Sequence, residues 1–248
     1  MDEAPAPDDR LRRSGLLVPA NQPKQVMGAG RFPADEVIFD LAGAGRDEKD
    51  TARAGVAEAL QTTDYGEQIV SVRINAIDTM WAYRDVIDVV ERAGEFVDCI
   101  VVPDVLAPGD IEFVDNLLRM IEQRLDLAHS IGIVAQIDNA TALTLINEIA
   151  LVSDRLEALV FDSAAMGGAL GTTAPDRGAH GDPWRAIRMQ VLVAARAADV
   201  QAIEAHTVDA GDDTFTAAVQ RSHGLGYDGV TCVHPAQVNQ ANTIFAAG

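Results

Sequence analysis

Eight short, almost continuously apolar runs recur along the chain, each followed by a stretch of helical length. The runs are Leu16 to Pro19, Val37 to Leu41, Ile69 to Ile74, Cys99 to Pro103, Ile131 to Ile137, Leu159 to Phe161, Val200 to Ile203 and Val230 to Val233. They are rich in Val and Ile and lack a polar alternation, as expected of parallel strands covered on both faces. The intervening segments are amphipathic: Asp47 to Leu60, Thr79 to Ala93, Pro108 to Leu127, Asn139 to Val152, Trp184 to Ala198, Thr214 to His223 and Pro235 to Phe245. Val86, Val89 and Val90 fall at helical spacing, and Pro108 suits a first helical turn. Strand then helix, about eight times over, predicts an α/β fold, a (β/α)8 TIM barrel with parallel strands. An open doubly wound sheet is the competing arrangement.

A length of 248 residues suits one barrel, expected over residues 14–248. Residues 1–13 are rich in Pro, Asp and Arg and lack an apolar stretch, so a flexible arm is expected there rather than a secretory signal. The net charge of −19 argues against nucleic-acid or anionic-membrane partners, which require a basic surface. No apolar run approaches the 18 or so residues of a membrane span. Cys99 and Cys232 each sit in an apolar run and read as small buried hydrophobes in a reducing compartment, which makes a cytoplasmic location the expectation.

In a barrel of this kind, chemistry sits at the C-terminal ends of the strands. That rule selects Asn21, Asp40, Arg73, Asn75, Asp104, Asp138, Asp162, Glu204, His206 and His234. Several strand-end carboxylates suggest a metal or proton-transfer site, while each alone could be a helix cap; Asp138, before a helical segment, is a plausible N-cap. The Gly-rich connection from Ser163 to Asp182, with Arg177 and His180, is long enough for a lid or ligand wall, although a disordered segment would read alike. His129 and His223 look like ordinary helix-region residues. There is no phosphate-binding loop, and Gly28-Ala29-Gly30 does not lie between a strand and a helix.

Four stretches, in order along the chain, resemble one family. They are Arg13-Ser14-Gly15-Leu16-Leu17-Val18-Pro19-Ala20-Asn21, Val72-Arg73-Ile74-Asn75, Val193-Ala194-Ala195-Arg196-Ala197-Ala198 and Gly226-Tyr227-Asp228-Gly229-Val230-Thr231-Cys232-Val233-His234-Pro235-Ala236-Gln237-Val238. Together they resemble the HpcH/HpaI aldolase family, in its citrate lyase beta-subunit-like branch. The resemblance implies a barrel assembled as a homotrimer. It also implies Mg2+-dependent cleavage or formation of a carbon–carbon bond in β-hydroxyacyl-CoA thioesters, with thioester hydrolysis in some members. In such chemistry a metal polarises an oxygen and holds the developing enolate, while an arginine holds a carboxylate.

Carried onto this chain, the family arginine is Arg73, expected to be both catalytic and substrate-binding; the alternative is an ion pair with a neighbouring strand-end acid. Asp138 stands where the family has a metal-binding Glu, one methylene shorter. Ala165 stands where a metal-binding Asp belongs, so Asp162 is the nearest replacement. Asp40 is retained as a catalytic candidate, followed by Ala42 and Gly43 in place of acids, and Leu106 stands in place of a Glu. Asn21, Glu204 and His234 are further substrate-binding candidates, and for His234 a structural role at the barrel rim is favoured over proton transfer. The resemblance thus implies a lyase-like enzyme acting on a small β-hydroxyacyl-CoA or keto acid, with a weak or relocated Mg2+ site. The alternative is a catalytically degenerate homologue that binds a ligand or joins a complex, and different chemistry on the same scaffold also stays open.

Overall fold

The computed structural model describes residues 10–171, 184–206 and 213–246. Its strands are β1 (Ser14–Pro19), β2 (Glu36–Asp40), β3 (Ile69–Arg73), β4 (Cys99–Val102), β5 (Gly132–Ile137), β6 (Leu156–Asp162), β7 (Gln201–Ala205) and β8 (Gly229–Cys232). All are parallel, each pairs with the next, and β8 returns to β1 through Ser14↔Val230, Gly15↔Thr231 and Leu16↔Cys232. The sheet is therefore a closed barrel, and an open doubly wound sheet is excluded. Each of the eight apolar runs becomes a strand because it can bury both faces, one toward the barrel axis and one toward the helices.

The helices are α1 (Pro23–Val26), α2 (Lys49–Thr62), α3 (Ala82–Ala93), α4 (Pro108–Leu125), α5 (Ala140–Thr144), α6 (Ile146–Ala150), α7 (Ser163–Ala169), α8 (Arg185–Ala197), α9 (Asp213–Leu225) and α10 (Pro235–Phe245). The main core lies between this outer layer and the strands, built on residues such as Phe39, Val86, Leu118, Phe161, Val191 and Phe215. Asn139 to Val152, expected as one helix, is two short ones that meet at Leu145, whose φ of −109° and ψ of 12° leave the helical region. Thr141 and Thr144 contribute low helix propensity just before that break. α7 occupies the start of the connection expected to be a loop or lid; the rest of that connection, with Arg177 and His180, lies outside the described residues.

The N-terminal end of the barrel is closed by charge. Of the arm expected over residues 1–13, Arg10, Arg12 and Arg13 are described and pinned: Arg10 to Asp98, Arg12 to Glu157, and Arg13 to Asp35. Arg12 is only 2% exposed. The chain crosses the first residue of β8 so closely that a Cβ on Gly229 would overlap the Arg12 carbonyl, which accounts for glycine there. Cys99 and Cys232 are free and buried, as their apolar settings imply. Among the described residues no helix is long and apolar enough to cross a membrane.

Candidate active site

A cavity of about 190 Å³ occupies the barrel interior. Its C-terminal rim carries Arg73, Gln136, Asp162 and His206, its wall is largely aliphatic, and Arg12 and Glu36 form its floor. Strand parity explains the membership. Residues 36 and 38 of β2, 73 of β3, and 158, 160 and 162 of β6 share the axis-facing set and line the cavity, because alternate residues of a strand face the same way.

Along the rim, four side chains from four strands form one hydrogen-bonded chain. Arg73 donates from Nη1 to Asp40 Oδ1 at 3.0 Å and from Nε to Gln136 Oε1 at 3.0 Å. Gln136 in turn donates from Nε2 to Asp162 Oδ2 at 3.2 Å. Asp162 Oδ1 accepts the backbone N–H groups of Ala164 and Ala165, so Asp162 is also the N-cap of α7. The ion-pair alternative for Arg73 is thus realised with Asp40. It consumes little of the guanidinium: of its five N–H donors, three make no bond within the described residues.

Asp138 follows β5 and is 3% exposed. Its Oδ2 accepts the Asp104 backbone N–H at 3.0 Å, and its Oδ1 accepts Asn139 Nδ2 at 3.0 Å. Burial pushes its carboxyl up to about 6, and the negative charges of Asp104 and Asp162 add to that push. The helix cap considered for Asp138 falls instead to Asn139, whose side chain accepts the Ala142 N–H of α5. Asp104 adopts φ 50°, a left-handed conformation that Asp tolerates better than most residues, and this turns its N–H toward Asp138. Among the described residues no three His, Cys, Asp or Glu side chains converge as a ready metal cluster. The charge of Asp162 nevertheless reaches Asp138, and each carboxylate keeps lone pairs that its hydrogen bonds leave unused.

The other candidates divide by strand face. Glu204 faces outward from β7 and does not line the cavity; its carboxylate forms an ion pair with Arg188 in which both side chains are fully buried. Ser222 donates to the other Glu204 oxygen, and His206 Nε2 lies 3.3 Å from Ser222 Oγ. His206 itself lines the cavity. His234 caps α10, its Nδ1 accepting the Ala236 N–H at 3.2 Å, and it is exposed at the rim. Asn21 is exposed and donates to Glu48 at 3.1 Å in a separate groove beside α1 and α2. Asn75 sits behind the strands, accepting Lys49 Nζ at 2.6 Å and donating to Asp85. Arg73 and Asp40 are therefore brought together, with Asp162 linked to them and Asp138 in its field; Asn21 and Glu204 are held elsewhere, and His234, at the rim, is engaged in capping α10. Gln136 was missed because a lone Gln inside an apolar run carries no signal of its own. Its position two residues before Asp138, on the axis-facing set, could have found it.

The model of the HpcH/HpaI aldolase/citrate lyase family matches residues 13–235. The L-malyl-CoA/beta-methylmalyl-CoA lyase of Cereibacter sphaeroides is 31% identical over 97% of this chain and 81% of its own length. The citrate lyase subunit beta of Leuconostoc mesenteroides is 33% identical over 96% of this chain and 78% of its own. Among solved structures, Mycobacterium tuberculosis CitE in complex with magnesium, acetoacetate and coenzyme A superposes with a TM-score of 0.77 at 22% identity, covering 95% of this chain and 81% of that one. Through the matched span, and through relatives that share about a third of its residues over nearly its whole length, the chain belongs to the HpcH/HpaI aldolase/citrate lyase family.

Proposed function

We propose that the protein is a carbon–carbon lyase acting on a β-hydroxyacyl-CoA thioester, with Arg73 receiving the carboxylate of the keto-acid half. The observation that carries this reading is the guanidinium at the cavity rim. It is held from two sides, by Asp40 and Gln136, and still has donors to spare. A planar fork fixed in this way suits a carboxylate better than a flexible ammonium would. Asp40, which does not line the cavity, then acts by orienting Arg73.

A Mg2+ ion bound at Asp138 and Asp162 would polarise the substrate oxygens and stabilise an enolate. Two carboxylates, with water and substrate oxygens completing the shell, are a common Mg2+ arrangement. Asp138 has the stronger claim, since a carboxyl pushed up to about 6 by burial, and further by neighbouring acids, gains most from a cation. A homotrimer and a cytoplasmic location complete the reading.

The test is Mg2+-dependent cleavage of L-malyl-CoA to acetyl-CoA and glyoxylate, with a citryl thioester assayed beside it. Turnover that disappears with chelator and falls steeply in Arg73→Met is expected. Absence of turnover on either thioester, with Mg2+ binding intact, would sink it.

A second reading has one observation in its favour: the described residues offer no three-ligand metal cluster. On that reading the barrel binds a carboxylate ligand without cleaving it. Tight binding of oxaloacetate by the wild type, with no cleavage of any thioester and no effect of chelator, would select it.

A further inference from the structure

The interior of a (β/α)8 barrel is ordinarily filled by layers of side chains. Here the space between the rim residues Arg73 and Asp162 and the floor residues Arg12 and Glu36 is a cavity of about 190 Å³. The cause lies in side-chain size. Ala158 and Ala205 stand at axis-facing positions on neighbouring strands, and Val101, Val134 and Val160 take up others. Short side chains on facing strands leave the axis open. Between its polar rim and charged floor the wall is aliphatic, formed by Leu17, Ile38, Val101, Val134, Val160 and Ile203, and an apolar wall of this kind favours an apolar occupant over water.

We infer that this cavity receives an aliphatic chain on the keto-acid half of the substrate. The inference rests on the lyase reading and deepens it. Three features point the same way. The cavity is continuous with Arg73, so a carboxylate held there leaves the rest of that fragment at the cavity's entrance. The thioester half has to lead outward, because coenzyme A is far too large for the interior. The floor carries a carboxylate surplus, since Arg12 makes its short contact with Glu157 and stands 3.6 Å from Glu36, so a second anionic end is disfavoured there. The preferred fragment is then a 2-oxo acid with an unbranched or lightly branched tail of about four to six carbons, as the size of the cavity allows.

The experiment is calorimetric titration of the full chain, in MgCl2, with pyruvate, 2-oxobutanoate, 2-oxohexanoate and 2-oxooctanoate. Affinity rising about fourfold for each methylene buried, up to the hexanoate, is expected. Ala158→Leu, which fills the space, should cancel that dependence on length. Affinity that is flat or falls beyond pyruvate overturns the inference, and so does failure of every member to bind. Cleavage of L-malyl-CoA, measured separately, reports on the lyase reading alone. A chain that cleaves L-malyl-CoA yet binds no longer acid better than pyruvate keeps its activity and loses the proposed tail.

Discussion

Arg73 and Asp40 are register partners on adjacent strands, and their side chains meet at 3.0 Å between Nη1 and Oδ1. Strand pairing alone therefore sets the height and direction of the guanidinium, and Gln136 from β5 prevents its rotation. Arg73→Lys keeps the charge and loses the fork. We expect kcat/KM for thioester cleavage to fall roughly 10- to 100-fold, the range that a lost charge-assisted hydrogen bond supports. The thermal midpoint should move little, because the side chain is 22% exposed and not part of the packed core. Steady-state kinetics beside a melting curve check both halves. An unchanged kcat/KM would remove Arg73 from substrate binding.

Asp138 ties metal binding to pH. Its carboxyl is pushed up to about 6 by burial and by the neighbouring acids, so below that value a proton occupies the position a cation needs. Proton and Mg2+ then compete, and the apparent Mg2+ affinity should be about tenfold weaker at pH 5 than at pH 7. Asp138→Ala should abolish the Mg2+-induced rise in thermal midpoint at pH 7. A rise that persists in the variant, or one insensitive to pH, places any cation elsewhere.

The barrel was legible in the sequence because burial on two faces leaves an unmistakable mark, and all eight apolar runs became strands. The rim was legible only in part. Position relative to a strand end selected Arg73, Asp40 and Asp162, which the fold links in one hydrogen-bonded chain, but a strand end does not tell which face a side chain takes. Glu204 shows the difficulty: it is one residue beyond the axis-facing Ile203, and that single step turns it outward to Arg188. His206, two residues on, borders the cavity but turns its ring the same way as Glu204, onto Ser222 and Phe215 of α9. For His234 the sequence favours a structural role over proton transfer, and its ring accepts the Ala236 N–H as the cap of α10.

The Glu204–Arg188 pair predicts a stability effect rather than a binding one. Both side chains are fully buried, and Ser222 completes the carboxylate's hydrogen bonding. Removing one partner strands the other charge, which costs about 3–5 kcal/mol. Glu204→Ala should therefore lower the urea midpoint markedly, while the folded fraction keeps its affinity for pyruvate. A wild-type urea midpoint in this variant would mean that the pair contributes nothing to the fold.

Glu36 at the cavity floor supplies a pH test of stability far from the rim. Its carboxyl is raised above the ordinary range, chiefly by burial and further by Glu157; Arg12 and the Ser71 hydroxyl oppose this without cancelling it. Arg12 cannot neutralise it fully, because its single charge is in short contact with Glu157. The folded state thus holds this proton to higher pH than the unfolded chain does. For a carboxyl raised in this way, stability is undiminished below the unfolded value near 4.5 and is lost as pH climbs from there through the folded value. Glu36→Gln removes the titration. The melting temperature of the variant, taken relative to wild type, should therefore climb as pH rises above about 4.5 and level off once the folded carboxyl has titrated. A difference that stays constant as pH rises above about 4.5, or narrows, would show that the floor carries the Glu36 charge without cost.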